Sequence, residues 1–187
     1  SALNTNYTID LNGPSTKNGT NITLYKSNGH NNQTWIFEKY VSTREQIDAY
    51  AAENKSSISD GTYIIGTKMD TNCVMDVYGA SGNSGANVTI YEEHGKENQA
   101  WIINHDEKGY VTFINVKSGK VLDVNGGVAG NSKNIQQYSS QSIADQKWIV
   151  IKDGNSYQIV SALDSNYCID LSAAKVANSS NIQLYSS

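Results

Sequence analysis

Apolar and polar positions alternate in short runs along the chain. Ile22/Leu24, Val88/Ile90 and Ile182/Leu184 are each separated by a single Thr or Gln, the period-two signature of a strand with one buried face. Between such runs lie turn formers such as Gly79-Ala80-Ser81-Gly82-Asn83, which favour tight reversals. The stretch 58–105 reads as four short strands, at Thr62–Gly66, Val74–Val77, Val88–Tyr91 and Ala100–Ile103. One segment has a different period. Ser42-Thr43-Arg44-Glu45 is a capping box, and Ile47, Tyr50 and Ala51 follow at helical spacing, predicting a short helix from Ser42 to about Asn54.

The strand pattern repeats. Tryptophan closes NNQTW at Trp35, ENQAW at Trp101 and ADQKW at Trp148. Upstream of each stands an apolar–Asp–apolar triplet: Ile9-Asp10-Leu11, Met75-Asp76-Val77 and Leu122-Asp123-Val124. A fourth triplet, Ile169-Asp170-Leu171, has no tryptophan after it. Asp precedes Tyr by 15 residues in all four copies and Trp by 25 in three. Asp76, Asp123 and Asp170 are spaced by 47 residues, while Asp10 and Asp76 are 66 apart, which is 47 plus an insertion of 19. A four-strand unit of this length buries little of its own apolar face, so three units are expected to share one core. The third copy departs from the pattern at Gln137, where the others carry Leu or Ile.

Charge and composition narrow the function. With 14 basic and 18 acidic residues the net charge is −4, which argues against a nucleic-acid surface built from clustered Lys and Arg. No apolar run approaches the roughly 20 residues of a membrane span. Cys73 and Cys168 are too few for a disulfide framework or a zinc cluster, though a single bridge between them stays open. His30, His94 and His105 have no metal-ligand spacing and no Ser or Cys partner. The repeated Asp residues fall in different copies, so no carboxylate pair of the glycosidase type is expected. Neither a catalytic residue, a metal site nor a cofactor is indicated.

Three Q-x-W motifs at fixed spacing, Gln33-Thr34-Trp35, Gln99-Ala100-Trp101 and Gln146-Lys147-Trp148, with the Asp triplets upstream, resemble the ricin B-chain type β-trefoil lectins and carbohydrate-binding modules. The resemblance covers everything but the insertion. It implies an all-β fold, a β-trefoil of pseudo-threefold lobes of about 47 residues around a six-strand barrel, with a partial extra lobe and a short helical linker. It further implies a non-catalytic sugar-binding module for galactose-type or related pyranosides, secreted or cell-surface, within a larger bacterial protein. Its partners would be glycans, including cell-surface or plant polysaccharide. The alternative is a protein-interaction trefoil with decayed sugar sites.

The chemistry suits that reading. An ionised Asp accepts strong hydrogen bonds from hydroxyls, an aromatic ring covers the apolar face of a pyranose, and an amide both donates and accepts. Carried over by position, lobe 58–105 offers Asp76, Tyr91, Asn98 and Gln99. Lobe 106–150 offers Asp123, Tyr138, Asp145 and Gln146, with Asp145 in place of Asn. The N-terminal copy carries Asp10, Tyr25, Asn32 and Gln33, and the last copy Asp170 and Tyr185. The tryptophans read as core. The Gln residues are candidates for a structural role as well as a binding one, and the Asp residues for turn capping.

Ser1–Ser27 and Ser161–Ser187 share 14 identities in 27 positions. This predicts residues 1–40 as part of a preceding lobe, 41–57 as linker, and 58–187 as a trefoil lacking its last strand. Trp35 and its segment NNQTWIF are then expected to be buried against strands of 58–187, from the same chain or by exchange with a neighbour.

Overall fold

A computed structural model describes residues 1–13, 16–38 and 40–187. The chain divides into two compact units, Ser1–Val41 and Ser42–Ser187.

In the smaller unit, β1 (Tyr7–Leu11) and β2 (Ile22–Lys26) form an antiparallel hairpin with Ile9 opposite Leu24 and Asp10 opposite Thr23. The Trp35 indole N–H donates to the Ile9 carbonyl at 3.1 Å. Trp35 is 41% exposed. Ile9, Ile22 and Leu24 are also open to solvent. A lone hairpin has no second apolar layer to cover these side chains.

The larger unit begins with α1 (Thr43–Glu53), whose N-cap Ser42 and Glu45 complete the predicted capping box. Twelve strand segments follow. Lobe 58–105 contains β3 (Gly61–Ile64), β4 (Gly66–Thr67), β5 (Asp70–Val77), β6 (Ala86–Glu92) and β7 (Ala100–His105). The first predicted strand, Thr62–Gly66, is thus broken in two. Gly66 sits where a Cβ would lie 3.2 Å from the Thr71 carbonyl oxygen, and the ladder shifts register there. Lobe 106–150 contains β8 (Val111–Asn115), β9 (Val121–Val124), β10 (Lys133–Tyr138) and β11 (Trp148–Asp153). Then come β12 (Ser156–Ser161), β13 (Tyr167–Leu171) and β14 (Ser180–Ser186).

The wiring is the same in each lobe. The second and third strands form a hairpin, as in β5–β6, β9–β10 and β13–β14. The fourth strand pairs with the first strand of the following lobe, as in β7–β8 and β11–β12. The third strands β6, β10 and β14 pair with one another in all three combinations. This is the β-trefoil arrangement.

One core serves all lobes. Trp101 and Trp148 are completely buried, and Met75, Ile90, Phe113, Leu122, Ile135 and Leu184 pack in the same cluster. Each buried indole N–H donates 3.3 Å to a second-strand carbonyl, Trp101 to Met75 and Trp148 to Leu122, so neither ring carries an unsatisfied polar atom into the core. Gln137 keeps its polarity for a structural purpose. Its amide donates to the carbonyls of Ser81 and Asn83 at 2.9 Å and accepts from the Ser118 hydroxyl at 2.7 Å, tying the turn after β5 to the neighbouring lobe. Cys73 is buried, Cys168 half-buried, and both are free thiols.

Helix α1 packs on the trefoil through a second apolar cluster of Ile47, Ala51, Tyr110, Ile149, Val160 and Ala162. Asp48 on its outer edge accepts from the Tyr110 hydroxyl at 2.7 Å, from Lys108 at 2.9 Å and from Arg44 at 2.7 Å. These donors hold the Asp48 carboxyl well below the usual carboxylate range, Lys108 most strongly. Arg44 also bonds the Tyr110 hydroxyl and reaches the Ala162 carbonyl at 3.1 Å.

Candidate functional site

Lobe 58–105 brings its predicted residues together. Met75 and Ile90 face each other across the β5–β6 ladder and enter the core, so Asp76 and Thr89, also cross-strand partners, point the opposite way. Tyr91 lies two residues beyond Thr89 on that same face, within diagonal reach of Asp76. Asp76 is 4% exposed and Tyr91 37%, so a charged acceptor lies at the base and an aromatic edge at the mouth.

The short 3₁₀ turn before β7 completes the arrangement. Asn98 donates its amide to Asp76 Oδ2 at 2.8 Å, and His94 Nε2 stands 3.4 Å from the same oxygen. The His94 and Tyr91 ring centroids are 6.0 Å apart. Burial pushes the Asp76 carboxyl above its ordinary range, opposed by the Gln99 amide, the His94 charge and the Asn98 amide. Two buried polar atoms beside this carboxylate, Asn98 Oδ1 and Thr89 Oγ1, have no hydrogen-bond partner.

The Gln of each motif is placed differently. Gln99 is fully buried, donating to the Glu92 carbonyl at 3.0 Å and accepting from the His94 N–H at 2.9 Å. Gln146 repeats this with the Ser139 carbonyl and the Gln141 N–H, and Gln33 with the Lys26 carbonyl and the Asn28 N–H. Their amides brace the loop that follows the third strand. Among the side chains this loop displays is His94, beside Asp76.

The other copies share the frame and differ in detail. In the small unit Asn32 and Gln33 both donate to Asp10 Oδ2, at 3.0 and 2.8 Å, while Tyr25 is exposed. In lobe 106–150 Asp123 accepts from Gln136 at 2.7 Å and Gln146 at 3.0 Å, beneath a Tyr138 that is 37% exposed. Asp145 stands beside it, pushed above the ordinary carboxylate range by burial and by the Asp123 charge. Asp145 thus brings a second carboxylate into the lobe of Asp123, which the reading of the repeated Asp residues alone did not include. In the last copy Gln183 donates to Asp170 at 2.8 Å and Tyr185 is 40% exposed.

Sequence reasoning missed two determinants. One is His94, which lies between Tyr91 and Asn98 in the sequence and which the fold sets beside Asp76. The other is the residue 13 positions after each Asp, its cross-strand partner: Thr23, Thr89, Gln136 and Gln183. Where it is Gln, its amide occupies a carboxylate oxygen.

Among the described residues no three His, Cys, Asp or Glu side chains gather as a metal site. An apolar cleft lined by Ile58, Tyr63, Ile65, Ile103 and Leu171 takes in Asp170, but neither Asp76 nor Asp123.

Comparison with known proteins agrees with the fold. The model of the ricin-type beta-trefoil lectin domain-like family matches residues 1–91, 52–126 and 97–185. The main hemagglutinin component type C of Clostridium botulinum C phage is 37% identical over 76 residues, covering 38% of this chain and 27% of that protein. The chain thus spans about a quarter of the length of that curated relative. The designed threefold-symmetric protein ThreeFoil superposes with a TM-score of 0.65 at 30% identity, over 68% of this chain and 91% of its own. The ricin B-like lectin of Macrolepiota procera, solved with lactose, shares the fold with a TM-score of 0.59 at 21% identity, over 71% of this chain and 91% of its own.

Proposed function

The chain belongs to the ricin-type beta-trefoil lectin family, and we propose that it acts there as a non-catalytic carbohydrate-binding module for galactose-type or related pyranosides. Lobe 58–105 is the principal site. The observation that carries this reading is the Asp76 carboxylate, held by the Asn98 amide at 2.8 Å and flanked by His94 at 3.4 Å, below the exposed Tyr91 ring. Sugar hydroxyls donate and accept at once, so they satisfy such a cluster, while the tyrosine ring covers the C–H face of the pyranose.

The hemagglutinin relative and the lactose-bound neighbour support the same class of ligand, and a role in a larger secreted or surface-attached protein fits it. No helix among the described residues is long and apolar enough to cross a membrane. The open face of Ile9, Ile22, Leu24 and Trp35 would be covered by further trefoil strands, in a tandem array or by exchange with a neighbouring chain.

A glycan array on the intact chain identifies the sugar, and calorimetry on wild type and Asp76→Asn tests the site. A single site with one small aromatic platform should bind at about 0.1–1 mM, roughly 4 to 5.5 kcal/mol. Asp76→Asn keeps the side-chain shape and removes the charge, and should weaken binding at least tenfold. Unchanged affinity in a folded Asp76→Asn protein would remove this lobe from the assignment.

A further inference from the structure

The lobes differ in the sign of what they offer a ligand. Twenty-two residues after the strand Asp, the small unit has Asn32 and lobe 58–105 has Asn98, and each donates its amide to that Asp. Lobe 106–150 has Asp145 there, and an ionised carboxylate has nothing to donate. Asp145 Oδ1 is enclosed without a hydrogen-bond partner. Oδ2 lies over Gly127, only 3.0 Å from where a Cβ would stand, and Gly127 has a left-handed φ of +63°. Glycine is the residue that both meets this backbone requirement and leaves room beside the carboxylate.

No ion pair among the described residues balances the second charge. The donors to Asp123 are the neutral amides of Gln136 and Gln146. The position three residues after the tyrosine, His94 in lobe 58–105, is Gln141 here. None of the ion pairs among the described residues includes Asp123 or Asp145. Lobe 106–150 therefore combines the same exposed tyrosine edge with two carboxylates, neither of which is in an ion pair among the described residues. A ligand that fits must supply N–H donors and positive charge next to a pyranose face.

We propose that lobe 106–150 is selective for amino sugars, pyranosides with a free ammonium group, and that Asp145 is the residue that sets this preference over neutral sugars. An ammonium group carries three donors and no acceptor, the complement of a site whose carboxylate oxygens only accept. The inference rests on the reading of these lobes as sugar sites, and it divides the labour between them: neutral pyranosides at 58–105, cationic ones at 106–150.

The test uses the full chain at pH 7 and 0.15 M salt, with galactosamine, glucosamine, galactose and N-acetylgalactosamine as probes in calorimetry or NMR titration. In the Asp76→Asn background, which weakens lobe 58–105, an amino sugar should bind at least tenfold tighter than its neutral or N-acetylated counterpart. Asp145→Asn installs the residue found in lobe 58–105 and should erase most of that preference, with an unfolding curve to verify the fold. Equal affinity for amino and neutral sugars in Asp76→Asn would overturn the proposal. So would neutral-sugar binding that strengthens on acidification, which would mean that Asp145 takes a proton and imitates Asn98. Competition by calcium alone would overturn it too, assigning the pair to a metal. Neutral-sugar binding by wild type with none of any kind in Asp76→Asn defeats this inference and leaves the general reading intact. Absence of all sugar binding in wild type defeats that reading itself.

Discussion

Gly109 gives a direct measure of how firmly helix α1 is seated on the trefoil. It lies in the turn from β7 to β8 with φ +95°, and a Cβ there would stand 2.8 Å from the Ala51 carbonyl oxygen and 3.0 Å from Lys55 Cγ. The lysine can swing away, but the helix carbonyl cannot. In Gly109→Ala the left-handed backbone alone costs about 1–2 kcal/mol. The helix must also retreat, loosening Ala51, fully buried, and Ile47, 6% exposed. Full burial of an Ile is worth about 1.5–3 kcal/mol, and partial loss of it adds about 1–2 kcal/mol to the strain. The expected total is about 2–4 kcal/mol, a fall in Tm of about 5–15 °C for a domain of this size. Gly154→Ala is the control, since Gly154 has φ +59° with nothing within 4 Å and should lose only the backbone share, about 1 kcal/mol. Thermal unfolding followed by circular dichroism measures both. Equal losses in the two variants would refute the close packing of α1 on this turn.

Acidification should separate binding from stability in lobe 58–105. Burial raises the Asp76 pKa above its ordinary 3.8, so as pH falls from 7 the carboxylate protonates and sugar binding should decline with a midpoint above 3.8. A raised carboxyl pKa favours the folded state below the unfolded value, an advantage lost as pH rises through the folded one, so this group does not destabilise the fold while binding disappears. Calorimetry and unfolding curves from pH 7 to 4 check the pair of trends, and a binding midpoint at or below 3.8 would contradict them. Coverage of the small unit is open to fluorescence. If its apolar face is covered by exchange between chains, Trp35 emission should shift to the blue as concentration rises, and Trp35→Phe should remove the shift. A concentration-independent spectrum from a monomer would exclude exchange between chains.

The repeat carried most of the legible information. Period-two alternation and fixed Asp-to-Tyr and Asp-to-Trp spacings report on backbone register, which a local pattern specifies because a one-residue slip reverses every side chain. The helix was equally readable, since Ser42 and Glu45 cap it through contacts three residues apart. What stayed hidden depends on contacts between segments. The docking of α1 on Tyr110 and Ile149, the bonds of Gln137 to the Ser81 turn, and the meeting of Asp145 with Asp123 all join residues distant in sequence. His94 was hidden for another reason: a histidine next to a carboxylate has many readings, and only the ladder that sets Asp76 opposite Thr89 selects one. The Gln of the Q-x-W motif repeats as faithfully as the strand Asp, and only the fold shows that its amide braces the loop after the third strand, and in two copies also donates to that Asp.

The mutual pairing of β6, β10 and β14 has a consequence for recognition at surfaces. These strands carry Tyr91, Tyr138 and Tyr185, so the three tyrosine-bearing faces are fastened to one hydrogen-bonded hub. Their separations are set by backbone geometry and do not adjust to a target. A flexible string of weak receptors gathers ligands at any spacing, whereas a stiff array gains avidity only where the offered groups match its own distances. With sugar sites at these faces as proposed, the protein should read the density and layout of a glycan coat as much as its chemistry, and hold scattered sugars in solution only briefly.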